Sequence, residues 1–402
     1  MTAAAAPDHV ITDEAEAVDA LASLAAGFEA AAARRDHEGT SPFAEVAAFR
    51  ATGILPALVP RELGGGGLDW RTVLTALRPV MRADGGLGHL FAYHFVNSWR
   101  VELNEDAERI EALQRGLAER HWFWGGAGNP RDAGLALTPV EGGFTVSGRK
   151  FFATGAQVSD RLTASGTRVD TGERLAIVVD STQDAVTHHD DWANNGQRLS
   201  ASGSVSFDAA WVPDAHVLGF GGQEGPRYHP YSSLSILFFQ LALDHVHVGL
   251  AEGALAAAAD YVRTSTKPWS TSGVDSALDD PYIRELMGEL TAATRAADAL
   301  TWRATDLLAE VAGRGWALTD AERGEAAVEI AAAKVVTTKV ALDVTSRVFE
   351  LTGARATGTP YGFDRFWRNA RTVTLHDPVA YKAREVGDHA LRRAFPEPSG
   401  YS

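Results

Sequence analysis

The 402-residue sequence contains no cysteine, no long uninterrupted apolar run and a deficit of positive charge. The lack of cysteine excludes disulfides, thiolate catalysis and cysteine-bound metals. Because no run reaches about 18 apolar residues, the sequence predicts no membrane span. The 37 Lys and Arg against 52 Asp and Glu give a formal net charge of -15, which argues against nucleic-acid and anionic-membrane partners. Acidic residues at the N-terminus are unlike a secretory signal, so we expect a cytoplasmic protein.

The chain divides into three blocks by the spacing of its apolar residues. Residues 1–121 show helical spacing, interrupted by prolines and a run of four glycines. Residues 122–225 hold short alternating or β-branched runs between turn residues, which indicates an antiparallel sandwich or barrel. Residues 226–402 predict four antiparallel helices, over about 234–263, from Asp280-Pro281, over about 319–351 and after Asp377-Pro378. We therefore expect a mainly α protein with a central β domain: an N-terminal helical domain, a middle β-barrel and a C-terminal four-helix bundle.

Several stretches in register carry a family resemblance. They are 84–95 (DGGLGHLFAYHF), 128–130 (GNP), 148–155 (GRKFFATG), 190–192 with 202–204, and 364–378 (DRFWRNARTVTLHDP). Together they resemble the acyl-CoA dehydrogenase fold, and within it the two-component flavin-dependent monooxygenases (group D), the family of the dibenzothiophene monooxygenases. Where dehydrogenases of this fold carry a catalytic Glu, the family register places Asp377, preceded by His376.

The resemblance implies an enzyme that binds reduced FMN or FAD and reacts with O₂ to form a C4a-(hydro)peroxyflavin. One oxygen atom would pass to sulfur, nitrogen or electron-rich carbon of an apolar, heteroaromatic substrate. A homotetramer is expected. The sequence 219–225 misses the dinucleotide pattern by one position and is followed by proline, so no nicotinamide site is predicted. Flavin reduction is therefore expected on a separate NAD(P)H-dependent reductase.

The same resemblance implies catalytic roles for His376, Thr154, Asn129 and His94. Imidazole titrates in the range needed to control the proton of a flavin peroxide. Asn129 and Thr154 would hydrogen-bond to the reactive edge of the flavin. Each residue also has a structural interpretation. His376 and Asp377 suit a helix start, Asn129 and Thr154 suit turn caps, and His94 suits an aromatic core.

Further residues are expected at the cofactor. Phe152 and Trp192 would form flat walls against the flavin ring or the substrate, beside Asn129 and Thr154. Arg263, Lys267 and Trp269 follow a helix end and would bind the flavin phosphate across a subunit boundary. Alternatively, these cations only complement the helix dipole. No metal site is expected, because the histidine pairs lack the spacing of a two-histidine, one-carboxylate centre.

Two other functions stay open. An acyl-CoA dehydrogenase would use Asp377 as the base that removes an α-proton. A non-catalytic protein of the same fold would tolerate His376→Ala without any change in activity.

Overall fold

The computed structural model describes residues 7, 9–104, 106–220 and 228–402. The first block holds α1 (Glu14–Glu38), α2 (Phe43–Ala51), α3 (Trp70–Ala83), α4 (Gly85–Trp99) and α5 (Ala107–Arg120). The second holds β1 (Trp124–Ala127), β2 (Leu135–Val140), β3 (Gly143–Lys150), β4 (Arg161–Arg168), β5 (Arg174–Asp180), β6 (Val186–His188), β7 (Val205–Pro213) and β8 (Val217–Phe220). The third holds α6 (Leu234–Thr264), α7 (Pro281–Ala312), α8 (Asp320–Thr352), α9 (Asp364–Val373) and α10 (Val379–Arg392).

The strands of the described chain form one sheet in the order β6-β7-β3-β2-β4-β5-β8, with β1 paired to β4. The expectation of a purely antiparallel arrangement was wrong, because β4 runs parallel to both β1 and β2. A parallel pair needs a long crossover, and the chain between β1 and β4 supplies one that includes the antiparallel β2–β3 hairpin. The spacing of strands along the sequence does not show whether two paired strands run parallel or antiparallel. The proposed boundary at 121/122 stays a prediction, and the boundary at 225/226 lies outside the described residues.

The C-terminal helices confirm the expected bundle. Asp280 accepts the amide hydrogen of Tyr282 and Pro281 opens α7, while Thr319 and Glu322 form a reciprocal capping box that opens α8. The sequence analysis did not predict α9, a short helix before the His376 segment. The fold class, mainly α around a central β domain, is confirmed.

Helix α6 passes through the centre of the molecule. By length and hydropathy, the segment Tyr231–Thr264 could cross a membrane, but 89% of its apolar window is buried inside the fold, as in a core helix. Gly253 lets α6 approach α3 closely, because a Cβ there would lie 2.2 Å from the carbonyl oxygen of Arg82. This helix therefore links the N-terminal block to the bundle.

Every residue of α4 is buried. On one side of the helix, His94 is locked into the core. Its Nε2 lies 3.0 Å from the carbonyl oxygen of Leu55, its Nδ1 accepts the Trp124 amide hydrogen at 3.0 Å, and its ring stacks on Phe123. Both nitrogens are thus bound by backbone groups, which favours the structural interpretation of His94.

This arrangement predicts acid sensitivity. Burial lowers the pKa of His94 to about 3, although the Leu55 hydrogen bond raises it, so the folded ring stays neutral. Unfolding restores an ordinary value near 6.5, so the unfolded chain binds more protons below that pH. The contribution of His94 to the free energy of unfolding is present above about pH 6.5 and is lost as the pH drops. The loss is about 2 kcal/mol between pH 7 and pH 5. Urea unfolding of His94→Gln should show a flatter decline.

The exposed His37 offers a matched control, because His37→Gln removes an imidazole that is not buried. Equal slopes for His94→Gln and the wild type would contradict the assignment of this proton to His94.

Candidate active site

The site begins on the side of α4 turned away from His94. His89 and Tyr93 lie one helical turn apart, with ring centroids 4.3 Å apart and nearly perpendicular. Tyr93 also packs on Phe239 of α6 at 4.7 Å. His89 Nε2 and the Tyr93 hydroxyl are buried and have no protein partner among the described residues. Buried polar atoms are normally hydrogen-bonded, so these two mark a place prepared for a ligand or water.

Gln197 connects three parts of the fold at this point. Its side-chain oxygen lies 3.1 Å from His89 Nδ1, and its side-chain nitrogen donates to the Asn369 carbonyl oxygen at 3.2 Å. The Gln197 amide hydrogen is donated to Asn369 Oδ1 at 2.5 Å. The adjacent Gly196 allows this docking, because a Cβ there would lie 2.0 Å from the Arg368 carbonyl oxygen. Since the Gln197 oxygen must accept, His89 carries its proton on Nδ1 and leaves Nε2 as an acceptor.

The neutral state of His89 follows from its environment. Burial lowers the pKa of His89 to about 3, while the Gln197 hydrogen bond raises it and His376 and Lys334 lower it further. The ring is therefore uncharged at physiological pH.

His376 and Asp377 lie between α9 and α10. His376 Nδ1 is 3.1 Å from Asp377 Oδ1, and the His376 side chain is 35% exposed whereas the carboxylate is buried. Gln240 of α6 donates to the same oxygen at 3.2 Å, and Lys334 Nζ of α8 lies 3.5 Å from it. Burial alone would raise the pKa of Asp377, but the His376 hydrogen bond and the Lys334 and Lys382 charges hold it well below its ordinary value. Asp377 is therefore an anion that accepts from its neighbours.

A chain of hydroxyl groups leads from the β domain to Gln197. Thr154 Oγ1 lies 2.9 Å from Ser202 Oγ, which lies 2.7 Å from Ser200 Oγ. Ser200 in turn donates to the Gln197 carbonyl oxygen at 2.8 Å. Thr154 is thus connected to His89 through Gln197.

Phe152 and Trp192 present aromatic surface beside this chain. Phe152 is 64% exposed and has a backbone φ of +53°, a region that costs a non-glycine residue about 1–2 kcal/mol. Its ring meets Trp192 edge to face at 5.9 Å, and Trp192 donates its indole hydrogen to the Gln197 carbonyl oxygen. An exposed phenyl ring held in a strained turn fits a ligand-contact role.

Asn129 lies in a different setting. Its side chain donates to Asp132 at 2.9 Å and accepts the Arg131 amide hydrogen at 3.2 Å, so it caps its own turn. The turn nevertheless reaches the site, because Gly400 packs against Pro130 and the Tyr401 ring packs on His376 at 5.9 Å.

The predicted phosphate group lies elsewhere in this chain. Arg263 is near the end of α6, more than twenty residues after Gln240, which corresponds to roughly 35 Å along a helix. Arg263 pairs with Asp260, and Trp269 is 75% exposed. Arg263, Lys267 and Trp269 therefore stay predictions that require a second subunit.

Sequence reasoning missed His89, Tyr93, Gln197 and Lys334 as site residues. The spacing of His89 and Tyr93 was an available signal, because residues four apart share a helix face. His94 follows His89 by five residues, about 140° around the helix, and therefore faces the core. His89 therefore lies on the site side of α4, and a catalytic role for His94 stays a prediction.

The chain is similar to known proteins over nearly its whole length. The model of the family "Acyl-CoA dehydrogenase, C-terminal domain" matches residues 241–381. A dibenzothiophene monooxygenase from Rhodococcus qingshengii is 39% identical, covering 99% of each chain. The structure of TdsC from Paenibacillus sp. A11-2 with FMN and indole has a TM-score of 0.92 at 36% identity, covering 96% of this chain and 99% of that one. The methanesulfinate monooxygenase MsuC from Pseudomonas fluorescens has a TM-score of 0.91 at 36% identity, covering 96% and 99%.

The fold and site thus define a flavin-dependent enzyme of acyl-CoA dehydrogenase architecture. Within it, the chain belongs to the two-component flavin-dependent monooxygenases, the family that includes dibenzothiophene monooxygenase.

The Gln197 connection can be tested by mutation. Gln197→Leu removes the partners of His89 Nδ1 and the Asn369 carbonyl oxygen inside the protein, so the free energy of unfolding should fall by about 2–4 kcal/mol. Urea unfolding measures the change. Gln157→Leu is a matched control, because Gln157 is half-buried and accepts one hydrogen bond from Ser41, so its loss should stay within about 1 kcal/mol. Equal losses in the two variants would show that the Gln197 hydrogen bonds have no special weight.

Proposed function

We propose that the protein uses reduced FMN and O₂ to transfer one oxygen atom to a small heteroaromatic substrate at sulfur, nitrogen or electron-rich carbon. When bound, the reduced flavin supplies the oxygen donor as a C4a-(hydro)peroxide. The observation that carries the proposal is that His89 Nε2 and the Tyr93 hydroxyl are buried without a described partner on one face of α4. The charges of His376 and Asp377 are close enough to act on the pKa values of these two residues.

The residues present fit a flavin. The exposed Phe152 ring and its neighbour Trp192 offer flat surface for an isoalloxazine ring. The hydroxyl chain from Thr154 offers a hydrogen-bonding group at its edge. FMN rather than FAD is supported by the FMN found in TdsC.

His376 and His89 have complementary roles. Because Asp377 is an anion, His376 donates its Nδ1 hydrogen to it, which leaves Nε2 as the nitrogen that would face the reacting atoms. His89 Nε2 offers an acceptor and Tyr93 a hydroxyl donor, since burial raises the pKa of Tyr93 far above its ordinary value. Together they hold a proton near the transferred oxygen and exclude water, which limits loss as hydrogen peroxide.

The dehydrogenase alternative is weakened by the state of Asp377. A base that removes an α-proton needs an uncommitted carboxylate with a pKa near the working pH. Asp377 already contacts His376, Gln240 and Lys334, and its pKa is held low. It is therefore a weak base.

The substrate and partners follow from the same proposal. The aromatic wall of Tyr93 and Phe239 fits a flat acceptor, and the indole in TdsC supports that class. As in the two-component family, a separate NAD(P)H-dependent flavin reductase would supply the cofactor. A homotetramer would bring Arg263, Lys267 and Trp269 of another subunit to the flavin phosphate. A cytoplasmic location stays a prediction.

Phe152 provides a test of flavin binding that does not depend on turnover. Phe152→Ala should leave the stability of the flavin-free protein within about 0.5 kcal/mol, because the ring is exposed. FMN affinity, measured by anaerobic fluorescence titration, should fall about tenfold, since an aromatic stack contributes about 1 kcal/mol or more. Phe151→Ala is the control, because that ring packs under Arg149. Unchanged affinity in Phe152→Ala would remove Phe152 from the flavin site.

Stopped-flow mixing of the reduced FMN–protein complex with O₂ tests the reaction. A transient near-ultraviolet absorbance is expected, and in His376→Gln it should decay to hydrogen peroxide at least about tenfold faster. The exposed His37→Gln is the control. Absence of the transient in wild-type protein would contradict the oxygenase mechanism.

The substrate class is tested with indole, dibenzothiophene and methanesulfinate in the presence of a flavin reductase. Oxygenation of a heteroaromatic compound is expected. Turnover of methanesulfinate alone would overturn the substrate class and leave the oxygenase assignment in place.

A further inference from the structure

Behind Asp377, the bundle contains a buried polar cluster that the proposed reaction does not use directly. Lys334 of α8 is fully buried, and its Nζ has no hydrogen-bond acceptor among the described residues. Its nearest carboxylate oxygen is Asp377 Oδ1, at 3.5 Å. An ammonium group carries three donors, so this lysine has an unusually poor set of partners.

The cluster continues between α8 and α6. Thr337, one turn after Lys334, donates to Asp244 Oδ1 at 3.1 Å, and its hydroxyl lies 3.1 Å from His247 Nδ1. Asp244 and His247 are also one turn apart and completely buried, and Asp244 Oδ2 and His247 Nε2 have no partner in the described chain. Gln240, one turn before Asp244, reaches Asp377 from the same face of α6.

The charges of this cluster are unequal. Burial raises the pKa of Asp244 to about 8, against the lowering effects of Lys334 and the Thr337 hydrogen bond, so Asp244 is uncharged at neutral pH. Burial also lowers the pKa of His247 well below its ordinary value. The positive charge of Lys334 is therefore opposed at close range by Asp377.

Stability does not account for such a lysine. Burying an ammonium group costs several kcal/mol, and a buried ion pair replaced by apolar residues of similar volume is often as stable or more so. Lys334 also touches no solvent, so it does not serve solubility. Its position 3.5 Å from the carboxylate that binds His376 suggests another role.

We propose that Lys334 is a positioning residue whose fixed charge holds the Asp377–His376 pair in one protonation pattern, with the proton on His376 Nδ1 directed to Asp377. The proposal rests on the proposed function in that His376 is taken to face the reacting oxygen. Lys334 acts through Asp377.

The direction of the effect follows from the groups that face the pair. They are His89 and Tyr93 from α4, Asp244 and His247 from α6, Lys334 from α8, Lys382 with Glu385 from α10, and Tyr401. Around neutral pH, Lys334 and Lys382 are the cations, opposed by Asp377 and Glu385. Removing the Lys334 charge leaves a net negative environment, so the pair should bind its proton more tightly.

The experiment measures the protonation of His376 without flavin. Diethylpyrocarbonate reacts with neutral imidazole, so the rate of His376 modification against pH, followed by peptide mass spectrometry, reports its protonation midpoint. In Lys334→Met this midpoint should move upward by about one pH unit or more. Lys334→Gln is a second neutral variant with the same expected shift. The peptide containing the exposed His9 provides the reference in every sample.

Asp244→Asn is the matched control for structural disturbance. It changes the same cluster but replaces a group that is uncharged at neutral pH, so the His376 profile should be unchanged up to about pH 7. A midpoint within about 0.2 unit of the wild type in both lysine variants, or an equal shift in Asp244→Asn, would overturn the proposal.

The outcome of this experiment does not depend on whether the proposed function is correct. A shifted profile in a protein that shows no oxygen adduct would support the role of Lys334 and reject the oxygenase. An unshifted profile in a protein that oxygenates indole would reject the role of Lys334 and support the oxygenase.

Discussion

The meeting of Gln197, His89 and Asn369 is the constraint on which the site depends. It joins a loop of the β domain to α4 and α9 through hydrogen bonds of 2.5–3.2 Å. The same amide fixes which nitrogen of His89 carries the proton. Because the Thr154 hydroxyl chain and the Trp192 indole also end at Gln197, this one residue aligns that side of the β domain with the helices.

Burial shifts the pKa values of the ionisable groups around this junction in opposite directions. It lowers the pKa of a histidine and raises the pKa of a carboxyl group. It keeps His89 and His247 neutral and Asp244 protonated at neutral pH, because none of them has a close, fully compensating charge. Asp377 is the exception, since Lys334 and the His376 hydrogen bond outweigh its desolvation. His376 differs from these groups in being partly exposed.

The sequence predicted much of the fold and less of the site, for physical reasons. Regular apolar spacing and caps such as Asp280-Pro281 predict the helices of the bundle. Parallel pairing of β4 depends on contacts between distant segments, which local patterns do not encode. Gln197 lies in a loop with a left-handed backbone, and Lys334 is inside a long helix, where a lysine ordinarily predicts a solvated face. Neither residue is therefore predicted from the sequence. The family stretch 84–95 contains both His89 and His94 and does not show which of them faces the site.

The position of Asp377 explains how one scaffold can serve two chemistries. A dehydrogenase base at this place must be free to receive a proton from carbon. Here the carboxylate accepts hydrogen bonds from His376 and Gln240 and faces a buried cation, so protonating it would break three favourable interactions. The imidazole contacts Asp377 through Nδ1, so its Nε2 is not engaged by this carboxylate. The His376 hydrogen bond and the Lys334 charge thus keep this carboxylate ionised, which makes it a weak base for removing a proton from carbon.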